Sequence, residues 1–472
     1  MARNRKPIIL ENLEVESVAA EGKSLLRHEG QVVFVQGAVP GDVVDIQVRK
    51  KRKNFLEGSP LRFHKKSDLR MDPICEHFGV CGGCKWQHMK YDSQLQFKQQ
   101  QVVDALERIA KVELPEISKI IPSEKTDRYR NKLEFTFSNK RWLTKEEIDS
   151  ESKLQRNGLG FHIPGLFDKV VDVGTCHLME EPCNTIKNEI RKYALEHELE
   201  FFDIREQTGL LRTLMIRRTD LGELMILVQF YRDDEAIKPL LDHLHETFPE
   251  ITSLLYVINQ KGNDTIFDQE VIVHSGKDHI IEEMGDLNFK IGPKSFYQTN
   301  SAQAKKLYDV ALAFADFQGD ELVYDLYTGT GTIANYSAGQ VKKVIGLEYV
   351  EDAIQDAFVN AEENGITNAD FYAGDIKDLL DDKFISKNGK PDVIITDPPR
   401  SGMHQNVVNM ILKVAPKKVV YVSCNPATQA RDIALMDEKY QVTKIQPVDM
   451  FPHTHHVENV ALLVLKDMTI TL

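Results

Sequence analysis

Cysteine is scarce in this chain, with six among 472 residues. A disulfide-stapled secreted scaffold is thereby excluded, and a chain of this length can bury a real core without staples. Long apolar runs are missing as well. None approaches the roughly 20 residues that span a bilayer, and no charged, apolar, small-residue leader opens the sequence. A soluble, cytoplasmic protein with reduced thiols and no membrane partner is therefore expected. Positive charge is in deficit, at a net −13, which at first sight speaks against nucleic acid. An internal repeat and a low-complexity tract are also absent. So are a G-x-G-x-x-G turn and a G-K-[ST] loop, which disfavours a dinucleotide pyrophosphate or a triphosphate as ligand.

The charge is unevenly spread. Residues 49–70, RKKRKNFLEGSPLRFHKKSDLR, carry nine Lys/Arg against two Asp/Glu, a local +7 that leaves −20 for the rest. A concentrated basic strip can hold a phosphate backbone whatever the global sign. A solvated basic face is the commoner meaning of such runs. Phe55, Phe63 and His64, interleaved with the charges, tilt the reading toward RNA or single strands, whose bases stack on rings.

Four kinds of pattern follow one another along the chain. Residues 8–62 alternate apolar and polar positions and break at PGD, as five or so short strands of a small antiparallel barrel would. From Tyr91 a helical period places Leu95, Val102, Leu106 and Ile109 on one side. Residues 128–292 mix strands and helices in an α+β segment. From about residue 320 strand, turn and helix repeat: ELVYDLY, KKVIGLE, ADFYAG, DVIITD and KKVVYVSC. That alternation implies a parallel sheet covered by helices on both faces, with ligands at the carboxyl ends of its strands. Asp325, Glu348, Asp397 and Cys424 stand near four of those ends.

DLYTGTGTI follows a strand and opens a helix, and Gly329 and Gly331 allow a sharp turn close to a ligand. Glu348 lies 19 residues beyond Gly329, at the end of the next strand, where an acid binds both hydroxyls of a ribose. A nucleoside cofactor without phosphate fits, and S-adenosylmethionine is the common one. Asp375, at the third strand's turn, would face the adenine. The alternative for Glu348 is a helix-capping or solvated acid.

Two further strand ends share that face: DPPRSG at 397–402 and, sixteen residues on, VVYVSCNPAT. Asp-Pro-Pro also marks enzymes that methylate exocyclic amines, which need no cysteine. Ring carbon 5 of a pyrimidine is different, a poor nucleophile until something adds at carbon 6. A thiolate suits that addition, being strongly nucleophilic and a workable leaving group. Cys424 is the candidate thiol, although packing is the usual fate of a free cysteine. The chemistry also demands a base for the carbon-5 proton, and VDMFPHTHHVENV offers Glu458. His453, His455 and His456 read as structural or substrate-positioning, since their spacing lacks a further metal ligand of obvious geometry.

These segments resemble the RNA uracil-5 methyltransferases, and among them the iron–sulfur-containing 23S ribosomal RNA enzymes, along nearly the whole chain. DPPRSG with VVYVSCNPAT is similar to the first signature, VDMFPHTHHVE to the second, and SFYQTN at 295–300 to the segment leading into the methyltransferase domain. The resemblance implies Cys424 as nucleophile and Glu458 as base. It implies Gln298, Tyr327, Glu348 and Asp397 around S-adenosylmethionine, with Gly329, Thr332 and Asp375 beside them; Thr332 stands where some members have Asn. The implied fold is multidomain: a TRAM-like, OB-like barrel at 1–66, a central α+β domain at 67–295 and a Rossmann-like methyltransferase domain at 296–472.

The remaining thiols form C-x5-C-x2-C at Cys75, Cys81 and Cys84, a spacing for metal or cluster ligands in a reducing compartment. Cys176 or Cys183 could complete the set, and zinc is possible on thiolate count alone. The resemblance implies a [4Fe–4S] cluster with Cys176 as the fourth ligand, leaving Cys183 to packing. The expected substrate is 23S rRNA and the expected state a monomer. Transfer RNA as substrate and cytosine-5 methylation are the alternatives. A radical enzyme would want C-x3-C-x2-C, and a catalytically dead domain would have lost one of the site residues.

Overall fold

The computed structural model of the chain describes residues 7–150 and 154–466. Six strands between Ile9 and Lys65 form the first sheet, around Val15, Leu26, Val33, Val35, Val44 and Ile46. The period-two pattern explains it: Val43–Lys51 buries Val44 and Ile46, then ends in exposed Arg49, Lys50 and Lys51. Arg52, Lys53, Arg62, Lys65 and Lys66 continue the exposed basic face.

Not every member of the strip is free for a ligand. Arg70 donates to Asp42 at 2.6 Å and lies 4.8 Å from the Phe63 ring. Asp42 is fully buried, so Arg70 is a structural partner rather than a surface cation. Phe55 packs edge-on against Phe34, and His64 hydrogen-bonds Asp45 at 2.6 Å. Phe63 keeps an exposed ring, at 38%, and His64 is exposed as well, whereas Phe55 is half-buried.

The central sheet has seven strands, in the order Val271–Gly276, Ile251–Ile258, Leu224–Phe230, Leu211–Arg218, Lys132–Ser138, Gly158–Ile163 and Leu166–Asp172. Helices Cys183–Glu196 and Ile237–Thr247 cover it through Ile186, Ile190, Leu240 and Leu244. Cys183 is buried in this core.

The C-terminal sheet also has seven strands: Leu322–Leu326, Lys343–Glu348, Ala369–Ala373, Val393–Thr396, Lys418–Ser423, Tyr440–Val448 and Glu458–Leu465. Counted along the chain within this sheet, their spatial order is 3-2-1-4-5-7-6. The first five run parallel, and the seventh pairs antiparallel with both its neighbours. Consecutive residues such as Val419 and Val420, or Ile394 and Ile395, are buried in opposite layers. A sheet covered on both faces makes its strands near-continuous apolar runs.

Helix Tyr91–Ala105 belongs to the same body, packing Val102 and Ala105 beside Tyr421 and Ile433. Its last turn, Leu106–Ala110, is π-helical. The extra residue shifts the phase, so Ala110 is buried and Ile109, expected on the inner side, is 44% exposed. The inner face also holds Lys98, fully buried, with Nζ 2.5 Å from the equally buried Asp449. Tyr91 donates to the same carboxylate at 2.8 Å, and Lys98 donates to the Phe451 carbonyl at 2.9 Å.

Removing one partner of such a pair strands the other charge out of water. Lys98→Met alone is expected to lower stability by about 3–5 kcal/mol, whereas Lys98→Met with Asp449→Asn should recover much of that loss. Urea unfolding of the single and double variants measures both.

Candidate active site

Strand Lys418–Ser423 is buried on both sides and runs directly into Cys424. Asn425 then caps helix Pro426–Met436, accepting from the Ala427 amide at 3.1 Å, with proline at the first helical position. The thiol thus stands in the two-residue gap between a fixed strand and a fixed helix. Strand Glu458–Leu465 pairs antiparallel with it, Ser423 opposite Asn459. One further step of that register sets Cys424 beside Glu458.

The Asp397 loop closes a third side. Its backbone is tied to the cysteine turn, because the Arg400 carbonyl accepts from Asn425 Nδ2 at 2.9 Å and from Thr428 Oγ1 at 3.3 Å. Gly402 completes that loop at φ 77°, with Arg431 and Asp432 packed where a Cβ would go.

Electrostatics distinguish these groups from ordinary surface acids. Burial, then the charge of Asp397, pushes Glu458 up to about 8, with Arg400 opposing. Burial raises Asp397 to about 7. The Cys424 thiol is pushed up to about 11 by burial and by Glu458 and Asp397, again against Arg400. Burial pushes all three acidic groups toward their protonated forms, neighbouring charge adds to it at Glu458 and Cys424, and the arrival of a cation would favour ionisation of all three. His453 and His455 are held down to about 4 and His456 to about 3 by burial, so all three are neutral at pH 7.

The other strand ends form the adjoining edge. Glu348 accepts the Gly329 amide at 3.1 Å and the Val350 amide at 3.0 Å, which fixes its carboxylate beside the glycine turn. Gly331, at φ 75°, leaves no room for a Cβ against Ala357. At Gly329 the opposite holds, since among the described residues nothing lies within 4 Å of where its Cβ would sit. Tyr327 takes a left-handed φ of 65° between Asp325 and this turn. Thr332 is buried, with Oγ1 3.3 Å from that of Thr330. Asp375 caps a short helix through the Lys377 amide at 3.2 Å and pairs with Lys377 Nζ at 2.6 Å, so its carboxylate is already engaged.

Gln298 is held by its backbone, with Asn131 Nδ2 donating to its carbonyl at 2.9 Å. Its side chain reaches the buried Tyr308 phenol, which also faces Asp397 and Asp325. Tyr308, Asn131 and Arg400 are the site's residues that sequence reasoning passed over. Nothing in a motif marks a tyrosine seven residues into a helix, whereas Arg400 stood inside the quoted DPPRSG.

Cys75, Cys81, Cys84 and Cys176 line one cavity of about 130 Å³, together with Arg130 and Thr454. Burial and mutual proximity raise Cys84 to about 12 and Cys176 to about 11. Among the described residues, no three His, Cys, Asp or Glu side chains gather closely enough to hold a metal ion. The structure therefore brings the four thiols to one cavity without forming a ligand set.

Residues 219–466 match the tRNA (uracil-5-)-methyltransferase family, and residues 11–61 match the TRAM domain. A protein of Bacteroides thetaiotaomicron, named only as an RNA methyltransferase, is 58% identical over 454 residues, 95% of this chain and 100% of that one. A similarly named protein of Chlorobaculum tepidum is 41% identical, over 92% of this chain and 91% of its own. The structure of Pyrococcus abyssi tRNA (uracil-54, C5)-methyltransferase in complex with S-adenosyl-L-homocysteine superimposes with a TM-score of 0.75. It is 28% identical and covers 96% of this chain and 100% of that one. With a strand order that carries Cys424, Glu458 and Asp397 to one edge, and likeness along nearly its full length, this chain belongs to the tRNA (uracil-5-)-methyltransferase family.

Proposed function

We propose that the protein methylates carbon 5 of a uridine in structured RNA, using S-adenosylmethionine and a covalent Cys424 adduct. The observation that carries this reading is the register that puts Cys424 beside a buried Glu458, with Asp397 and Arg400 at the same strand ends. Glu348, Gln298, Tyr327 and the open space at Gly329 would hold the cofactor, with Asp397 between cofactor and base. Thr332 and Asp375 are weaker candidates, given the buried hydroxyl and the carboxylate already paired with Lys377.

The chain's own groups account for the carbon–sulfur bond and for the carbon-5 proton. Cys424 must ionise, and Arg400 is the cation that opposes its resting protonation. The thiolate then bonds to uracil carbon 6, and the displaced π pair makes an enolate nucleophilic at carbon 5. S-adenosylmethionine supplies an electrophilic methyl group there. Glu458 takes the carbon-5 proton, the double bond re-forms, and Cys424 leaves as thiolate. The target base has to leave its stack to reach a thiol at a strand mouth.

The exposed face Arg49–Lys53 supports RNA contact, and 23S rRNA is the first reading of the substrate because the cysteine cavity and N-terminal barrel accompany the methyltransferase domain. Transfer RNA is the second, favoured by the full-length likeness to an enzyme named for uracil 54 of tRNA. Four thiols lining one cavity without converging on a point fit a polynuclear cluster better than one zinc ion, which needs all its sulfurs about 2.3 Å from a single centre. A [4Fe–4S] cluster on Cys75, Cys81, Cys84 and Cys176 would supply structural cross-linking, since methyl transfer consumes no electron. The proposed setting is a monomer in the cytoplasm.

Nucleoside-resolved mass spectrometry of ribosomal and transfer RNA, with and without the gene, tests the reaction. Loss of 5-methyluridine from a 23S fragment supports the first reading; loss from tRNA moves the substrate. Unchanged 5-methyluridine in both counts against uracil methylation. In vitro, Cys424→Ala is expected to lower turnover at least about a thousandfold. Glu458→Gln should accumulate a covalent RNA adduct, and persistence of turnover in either variant would sink the mechanism.

The base must be ionised to work, and its fold raises it to about 8. The free-enzyme rate, kcat/KM, should therefore climb with pH through that value, and go on climbing as the Cys424 thiol, raised to about 11, ionises. A profile falling between pH 7 and about 9 contradicts Glu458 as base. For the cluster, anaerobic purification should yield iron and acid-labile sulfide in equal amounts, lost together in Cys84→Ser; stoichiometric zinc would overturn it.

A further inference from the structure

The thiol cavity carries a charge that its sulfurs do not account for. Phe78, Leu133, Phe161, Val173 and Leu178 make much of its wall apolar. Among the described residues that line it, Arg130 is the single lysine or arginine. The Arg130 amide donates to the Leu178 carbonyl at 2.7 Å, which fixes its backbone two residues past Cys176. The guanidinium lies 5.3 Å from the Phe451 ring and donates to the Tyr129 hydroxyl. Both partners are neutral.

Among the described residues, Arg130 makes no ion pair. On its other side it borders a second cavity, where Glu124, Glu180 and Asp220 stand. Those carboxylates do not serve it. Glu180 pairs with Lys125 at 2.8 Å and Arg218 at 3.4 Å, and Glu124 pairs with Lys306 at 2.7 Å. The Asp220 amide is tied to Glu282 at 3.1 Å. A permanent cation thus stands on the wall of a partly apolar cavity with no counter-charge of its own.

The thiols supply the missing half of the argument. Four thiolates outweigh the positive charge of an iron–sulfur core, so the loaded cavity would carry net negative charge. Against an apolar wall that charge is costly unless a cation or hydrogen-bond donors face it. We propose that Arg130 is the counter-cation of the iron–sulfur cluster held by Cys75, Cys81, Cys84 and Cys176. Its placement also reaches the loop of residues 449–457, through the Phe451 ring and through Tyr129, whose hydroxyl donates to the Pro452 carbonyl at 3.0 Å. Thr454 of the same loop lines the cavity. The inference rests on the cluster reading and leaves the methyl-transfer chemistry as it stands.

The test uses holoenzyme purified anaerobically from an arginine-auxotrophic host fed arginine isotope-labelled only in its guanidinium nitrogens. With the cluster reduced by one electron, pulsed EPR is expected to show a coupling to labelled nitrogen that unlabelled protein lacks. Its absence from an iron-loaded protein overturns the role of Arg130 alone. Two variants give a second readout, Arg130→Gln removing the charge and Arg130→Lys keeping it. Iron release to a chelator should be about ten- to a hundredfold faster in Arg130→Gln and close to wild type in Arg130→Lys. The reduction potential should fall in Arg130→Gln and recover in Arg130→Lys, because a nearby cation favours the more negative, reduced form. Equal release and potential in all three proteins, or equal losses in both variants, overturn the counter-charge. Should a variant fail to fold, the isotope measurement on wild-type protein decides. Wild-type protein without iron and acid-labile sulfide overturns the cluster reading and this inference with it.

Discussion

The pairing of strand Lys418–Ser423 with strand Glu458–Leu465 is the constraint on which the site depends. Side chains on a strand alternate faces, so a slip of one residue would send Glu458 to the opposite side of the sheet from where it is needed. The slip is prevented by burial on both faces: Val419 to Val422 and Val460 to Leu463 are all in the core. The Gln429 side chain adds a lock, donating to the Tyr421 and Asn459 carbonyls at 2.9 and 3.1 Å. An apolar sheet of ordinary composition thereby fixes two polar groups that the rest of the chain then adjusts electrostatically.

The segment between the last two strands, residues 449–457, is gripped from every part of the molecule. Lys98 and Tyr91 hold Asp449, the Tyr129 hydroxyl donates to the Pro452 carbonyl at 3.0 Å, and the Lys85 and Trp86 amides both donate to the His453 carbonyl at 2.9 Å. Thr454 reaches the cysteine cavity, and His455 packs against Gly22 of the first sheet. Glu458 follows immediately. Its position is the sum of contacts from three regions distant in sequence, which explains how a helix at residue 98 and a thiol cavity near residue 81 bear on the carboxyl at residue 458.

Much of this was legible in the sequence, and for definable reasons. Strand-turn-helix repetition announces a parallel sheet, and sheets of that kind expose their carboxyl ends, so acids and a thiol at those ends were conspicuous before any coordinates. The basic run was equally plain, because charge is additive along a chain. What stayed hidden depends on partners far apart. Arg70 looked like one more surface cation until Asp42 appeared beneath it. Ile109 looked like the inner side of its helix and nothing marked Lys98 as buried, because neither the distant Asp449 nor a π turn leaves a local trace. The cysteine spacing read as a ligand set, while the separation of the sulfurs in the cavity they line was not a property that spacing could convey.

The contact of Gly22 with His455 has a wider consequence. Gly22 sits at φ 77° with the imidazole where a Cβ would be, and the Trp86 indole donates to its carbonyl at 3.0 Å. The N-terminal sheet is therefore seated on the same loop that delivers Glu458, and does not hang from a linker. The span from the basic face to Cys424 becomes a fixed length of the fold. On the proposed RNA reading, a strand held at one end would present to the other only the nucleotide that lies that far along its shape, a ruler beside the pocket.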